Sequence, residues 1–113
     1  MSFARKIESL KNFADYQMNK VILPFWMNNM PDELNGGFLG EIDMNNHRNH
    51  KAPKGIILNA RILWTFSAVY GYKKLPEYLD MANKAKSYIE RCFFDREEKG
   101  YYWMLNADGT VKN

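Results

Sequence analysis

Phe3, Ile7, Leu10, Ala14 and Met18 follow one another at intervals of three and four, the spacing that gathers side chains on one face of a helix. A first, one-faced helix is expected from Phe3 to about Met18. Val21 to Trp26 extends the apolar run, but Pro24 lacks the amide a helix interior needs, so the helix should bend or end there. A second one-faced helix begins at Pro76, a residue suited to a first helical turn. There Tyr78, Met81, Ala82, Ala85, Tyr88, Ile89 and Cys92 share a side, while Glu77, Asp80, Lys84, Lys86 and Glu90 lie largely elsewhere.

Between these lies GIILNARILWTFSAVYGY, residues 55 to 72, helix-length and apolar nearly all the way round. Such a helix must be covered on every side, which two one-faced neighbours cannot achieve. An inner ring of helices inside an outer ring can. The pattern therefore predicts a mainly α fold, a toroid of helical hairpins. At 113 residues the chain is too short to close that ring, so residues 1–113 are expected to be the N-terminal part of one larger domain.

The remaining segments read as connections. Asn35-Gly36-Gly37 signals a turn, Phe38 to Asp43 a short extended piece, and the polar residues 43 to 54 an exposed loop. Tyr101 to Leu105 and Thr110 to Lys112, joined by Asn106-Ala107-Asp108-Gly109, predict a hairpin, since Asp-Gly readily accommodates a positive φ.

Composition narrows the function classes. With 46% hydrophobic and 26% charged residues the chain reads as globular. Its net charge of +3 is mild, and the cations are scattered among nearly as many acids, which argues against a nucleic-acid surface. The charged N-terminus does not resemble a secretory signal, and no run approaches a membrane span. Cys92 is the single cysteine, which excludes an internal disulfide and points to a reducing, cytoplasmic setting.

Candidate chemistry centres on Arg61, a lone charge in the apolar helix. Its helical neighbours are Ile57, Leu58, Trp64 and Thr65. If the helix lines a cavity, Arg61 presents a planar fork of donors beside the Trp64 indole, an arrangement suited to an oxygen-rich ligand such as a sugar. Pairing with a carboxylate of another helix is the structural alternative, and the pattern leaves both open. Trp26, Trp64 and Trp103 could form a sugar-stacking wall, although large aromatics at such spacings more often belong to a core. Other constellations carry less. His47 and His50 have metal-ligand spacing but sit in a loop without a third ligand. Asp43 to Asn46 lacks the glycine and terminal glutamate of a calcium loop. Glu41 and Asp43 could be an acid pair for glycoside hydrolysis, yet neighbouring carboxylates on a short strand usually face solvent. Cys92, on an apolar face, reads as an inert small hydrophobe.

The stretches VILPFWMNN, NGGFLGEID, KGIILNARILWTFSAVY and KGYYWMLNADGT, in this order, resemble the N-terminal part of the cellobiose 2-epimerase branch of the N-acylglucosamine 2-epimerase family. The resemblance implies an (α/α)6 barrel several times longer than this chain. It also implies an isomerase, without metal or redox cofactor, that inverts C2 of the reducing-end glucose of a β-1,4 disaccharide such as cellobiose through an enediolate. Arg61 matches the arginine that would stabilise that intermediate, and Trp64 is carried as a substrate contact. Neither His47 nor His50 matches the family's catalytic histidines, so the chain alone is expected to be inactive. A face comprising Ile56, Ile57, Leu63 and Phe66 is expected to lie uncovered and to promote self-association. An N-acylglucosamine 2-epimerase, a mannose isomerase, a six-hairpin glycoside hydrolase and a non-catalytic sugar-binding module are the alternatives.

Overall fold

Ser2 starts the first helix by accepting the Arg5 N–H on its hydroxyl at 3.2 Å, which satisfies one of the free donors of a helix N-terminus. From there the computed structural model, which describes residues 2–112, runs through α1 (Phe3–Tyr16), a π-helical turn (Gln17–Ile22) and α2 (Leu23–Asn29). The helix does not stop at Pro24. In the π turn the Leu23 N–H reaches back five residues to the Met18 carbonyl, and the widened turn relieves the clash and the missing donor that proline brings to a regular helix. Of the expected bend or end, the end is excluded: helical backbone continues past Pro24 through a local widening.

After a loop come β1 (Lys54–Gly55), α3 (Ile56–Tyr72), α4 (Pro76–Tyr88), a second π turn (Ile89–Phe93) and β2 (Met104–Leu105). Pro76 occupies the first turn of α4 as expected. The two strands pair antiparallel, Lys54 with Leu105 and Gly55 with Met104, so the end of the chain is tied to the start of α3. The predicted hairpin is present: Leu105 bridges Val111, and Gly109 at φ +90° closes the turn with its N–H on the Asn106 carbonyl at 2.9 Å. Phe38 to Asp43, in contrast, forms no strand. It makes only isolated bridges, Pro31 with Phe38 and Ile42 with Arg48.

The main core lies between α3 and α4 and is closed by α2. Ile62 and Phe66 meet Tyr78, Met81, Ala82 and Ala85, with Leu23, Met30 and Phe38 completing the cluster. The two alanines let the helices approach, and the Phe66 and Tyr78 rings sit 6.2 Å apart. A smaller core joins Tyr88, Phe93 and Leu105. Five residues of the expected α4 face, Tyr78, Met81, Ala82, Ala85 and Tyr88, are buried.

Two expectations about apolar faces change. Phe66, expected to be uncovered, is buried beneath α4, because it lies on the same side of α3 as Ile62. Ile57 is exposed as expected, but the broadest uncovered face belongs to α1, where no residue is buried and Phe3, Ile7, Leu10 and Phe13 all face outward. No helix among the described residues is long and apolar enough to cross a membrane.

Candidate functional site

Arg61 lies in the second turn of α3, and its position follows from how that helix begins. Gly55 precedes the helix in extended conformation, and Asn59 donates from Nδ2 to the Gly55 carbonyl at 2.9 Å. Asn59 is itself buried, and its Oδ1 has no partner among the described residues. The buried stripe of Asn59, Ile62 and Phe66 turns Arg61 away from α4.

A neighbouring flank of α3, which shares Ile62 and Phe66 with the buried stripe, meets the first helical segment across a cleft of about 350 Å³. Ile22, Leu23 and Trp26 form one wall, and Leu58, Arg61, Ile62, Thr65 and Phe66 the other. The π turn and its proline supply the first wall. Arg61 also borders a shallower hollow with Ile57, Ala60, Trp64 and Thr65. The guanidinium is solvent-exposed and has no salt bridge or hydrogen-bond partner among the described residues. The structural alternative, an arginine locked against a carboxylate, is therefore not what these residues build. An unpaired planar donor set beside mostly apolar walls suits a ligand with both oxygen atoms and a carbon face.

Trp26 packs against the edge of the main core, and Trp64 and Trp103 lie outside it. Trp26 is half-buried at the cleft wall, while Trp64 and Trp103 are 73% and 68% exposed. The structure brings Trp26 and Trp64 to the two hollows that Arg61 borders and leaves Trp103 on the segment leading into β2.

The loop from residue 31 to 54 holds what sequence reasoning missed. Lys54, expected in an exposed polar loop, is 1% exposed. Its Nζ pairs with Asp32 Oδ2 at 2.9 Å, donates to the Gly36 carbonyl at 2.6 Å, and lies 5.1 Å from the centre of the Tyr88 ring. Burial works to raise the Asp32 pKa, but the hydrogen bond from Lys54 and the amides of Asn35 and Leu34 outweigh it and hold the carboxyl below its ordinary value. Gly37, at φ +65°, packs so tightly on Tyr88 that a Cβ there would lie 2.7 Å from the ring. Burial also pushes the Tyr88 hydroxyl up to about 12, with Cys92 beside it. Asn-Gly-Gly next to a sheltered lysine was the available signal, but an isolated lysine after a proline carries no mark of burial.

The remaining candidates are engaged in the loop itself. Arg48 grips Glu33 through Nη1 at 2.9 Å and through Nη2, and donates to the carbonyls of Asn29 at 2.8 Å and Pro31 at 2.7 Å. This fork holds Glu33 down to about 2. His50 meets Glu33 at 3.0 Å, and His47 meets Asp43 at 3.2 Å. Asp43 also accepts the amides of Asn45 and His47, so it organises its own turn. Glu41 accepts from Asn49 and faces solvent. Asp32, Glu33 and His50 bring three possible metal-ligand atoms within 4.8 Å of one another, but Lys54 and Arg48 already neutralise both carboxylates. Cys92 is half-buried against Tyr88, away from either hollow at Arg61.

Comparison with known proteins places this geometry. Cellobiose 2-epimerase of Bacteroides fragilis is 47% identical over 102 residues, covering 90% of this chain and 26% of that protein. Its counterpart from Dictyoglomus turgidum is 34% identical, covering 91% and 26%. Among solved structures, cellobiose 2-epimerase from Spirochaeta thermophila superposes with a TM-score of 0.92 at 30% identity, covering the whole of this chain and 28% of its own. That from Bacillus thermoamylovorans gives 0.87 at 36%, covering 93% and 27%. The chain thus spans about a quarter of the length of the relatives it matches, and it has the fold of that part of their (α/α)6 barrel. Residues 37–113 match the sequence profile of the N-acylglucosamine 2-epimerase (GlcNAc 2-epimerase) family. The helices flanking the cleft, the exposed arginine within it and these similarities lead to one statement: the chain belongs to the N-acylglucosamine 2-epimerase family.

Proposed function

We propose that the protein carrying this chain epimerises C2 of the reducing-end glucose in a β-1,4 disaccharide such as cellobiose, with Arg61 stabilising the intermediate and Trp64 contacting the sugar. The observation that carries this reading is Arg61, a cation without a partner among the described residues, bordering a largely apolar cleft on α3. In the reaction the ring opens, a base takes the C2 proton, and the electron pair left behind delocalises onto oxygen as an enediolate. A second group returns a proton to the opposite face. Charge gathers on adjacent oxygens only after proton removal, so a fixed guanidinium fork beside them favours the intermediate over the substrate. The two histidines here are engaged with Glu33 and Asp43 on the loop. The proton-transfer groups therefore belong to other segments of the barrel, and residues 1–113 serve as the N-terminal part of that single domain, inactive alone.

Incubation of cellobiose with the full-length gene product in heavy water tests the reading. Glucosyl-mannose carrying deuterium at C2 is expected; released glucose would show a hydrolase, and turnover of N-acetylglucosamine but not cellobiose the other named activity of the family. Arg61→Ala is expected to lose about a hundredfold or more in rate, by analogy with the loss of an oxyanion-hole donor. Arg61→Lys keeps the charge without the planar fork and should remain well below wild type. Full rate in both variants would remove Arg61 from the mechanism.

A further inference from the structure

No side-chain cap closes the N-terminus of α3, the helix that bears Arg61. Gly55 stands at the capping position, and the first turn carries no acid. The start of the helix is held from elsewhere in the chain. The Ile56 N–H donates to the Trp103 carbonyl at 3.1 Å, Lys54 and Gly55 pair with β2, and the Lys54 side chain reaches into the turn of residues 32 to 37. That turn is a stiff receptor for the ammonium. The Asp32 N–H donates to the Gly37 carbonyl and the Gly36 N–H to the Asp32 carbonyl, each at 2.9 Å. Asp32 Oδ1 accepts the amides of Leu34 and Asn35, both at 3.0 Å. The other carboxylate oxygen and the Gly36 carbonyl are thereby aimed at Lys54 Nζ. The Lys54 and Asp32 side chains are 1% and 0% exposed, so their burial is already complete within residues 2–112.

We infer that Lys54 is a positioning residue for Arg61: its buried ammonium, seated in the 32–37 turn, sets where α3 begins and so where the guanidinium fork stands beside the cleft. The inference rests on the epimerase reading and adds to it a residue that touches no substrate. Packing of Ile62 and Phe66 against α4 holds α3 sideways, but apolar contacts are non-directional and tolerate a small slip along the helix axis. A charge-assisted bond to fixed acceptors does not. Lys54 is joined to α3 through Gly55 alone, and Arg61 lies in the second turn, so a shift of the first turn carries the arginine with it. A misplacement of about 1 Å can cost on the order of a hundredfold in rate. The loss falls on kcat, because Arg61 acts on oxygens that gather charge only after the C2 proton has left.

The test measures kcat and KM for cellobiose in the full-length gene product, in Lys54→Met, and in Asp32→Asn combined with Lys54→Met. Each is made with Arg61 and with Arg61→Ala, and assayed at a temperature at which calorimetry finds it folded. The paired variant leaves no stranded carboxylate, so it gives the reading should Lys54→Met fail to fold. With Arg61 present, kcat should fall about tenfold or more while KM stays within about threefold. With Arg61→Ala, the same substitutions should lower the remaining rate by less than about twofold, because the residue they act through is gone. An unchanged kcat, or an equal fall in both backgrounds, overturns the inference. A wild type that turns over neither cellobiose nor N-acetylglucosamine sinks the epimerase reading alone. Crystal structures of wild type and the paired variant then decide on Lys54. A shift of the Arg61 Cα by about 1 Å or more against the core of Ile62, Phe66 and Met81 supports the positioning role, and a smaller shift overturns it.

Discussion

Lys54 and Arg61 carry the same charge, lie two helical turns apart in sequence, and end in opposite circumstances. Lys54 stands where three segments converge, and each supplies something a buried ammonium requires: Asp32 a carboxylate, Gly36 a carbonyl, Tyr88 the face of a ring. Arg61 stands on a helix face whose neighbours, Ile57, Leu58, Trp64 and Thr65, offer no anion. The first charge is consumed in holding the loop onto the start of α3; the second has no partner among the described residues and borders a cleft. A cation committed to this part of the fold is thus told apart from one without a partner among the described residues by what converges on it, not by residue type or by the hydrophobicity of the surrounding sequence.

Removing Lys54 breaks this comparison most severely. Lys54→Met strands the Asp32 carboxylate in the interior and should cost about 3–5 kcal/mol of stability, since a buried ion loses the cation paired with it. Asp32→Asn combined with Lys54→Met should cost clearly less than Lys54→Met alone. Denaturant unfolding of the full-length gene product measures both, and a loss below about 1 kcal/mol in the single variant would mean that water reaches the pair. Gly37→Ala acts on the same assembly from the other side. It forces a side chain into a left-handed conformation and against the Tyr88 ring, with an expected cost of about 1–3 kcal/mol. Restoring stability by a smaller residue at Tyr88 would identify the ring contact, and not the backbone, as the cause.

Arg61→Ala sharpens the contrast from the opposite end. An exposed charge without a partner among the described residues should change stability by no more than about 0.5 kcal/mol, even while activity falls. Calorimetric melting of the variant beside its rate separates the two effects. A large loss of stability would show that Arg61 is a structural residue whose partner lies elsewhere in the barrel.

The difference between the two cations also explains what could be read from the chain. Periodicity revealed α4 because burial there is one-sided, and it revealed α3 as a helix, although only Asn59, Ile62 and Phe66 of it are buried among the described residues. Pro24 marked an irregularity but not its form: a π turn lets the helix pass the proline without ending, and only the register of the Leu23 amide shows it. Lys54 was hidden for a different reason: Asp32 and Tyr88 are distant in sequence, and nothing local distinguishes a lysine that meets them from one that meets water. The spacing of Trp64 and Trp103 left core and ligand contact both open, and both are exposed because the buried stripes run through their neighbours. Arg61 was legible as an anomaly because its surroundings are local to one helix. That no carboxylate among the described residues folds against it is visible only in the structure.

The Glu33 and Arg48 pair occupies the ground between the extremes, fully partnered yet in contact with solvent, and should respond to pH in a small, definite way. Arg48 holds the Glu33 carboxyl at about 2, against an ordinary 4.5. Folding therefore favours the charged form, and the unfolded chain takes up a proton first as pH falls. The sign follows: the pair contributes its full stabilisation above about pH 4.5 and loses it progressively as pH drops toward 2. The difference in unfolding free energy between wild type and Glu33→Gln should be greatest near neutrality, narrow below pH 4.5, and shrink with added salt because the carboxylate is exposed. A difference independent of both pH and salt would assign the effect to the hydrogen bonds that Arg48 makes to Asn29 and Pro31. Glu33 would then merely accompany an arginine whose work is to hold the loop, and Arg48 would join Lys54 among the cations committed to the fold.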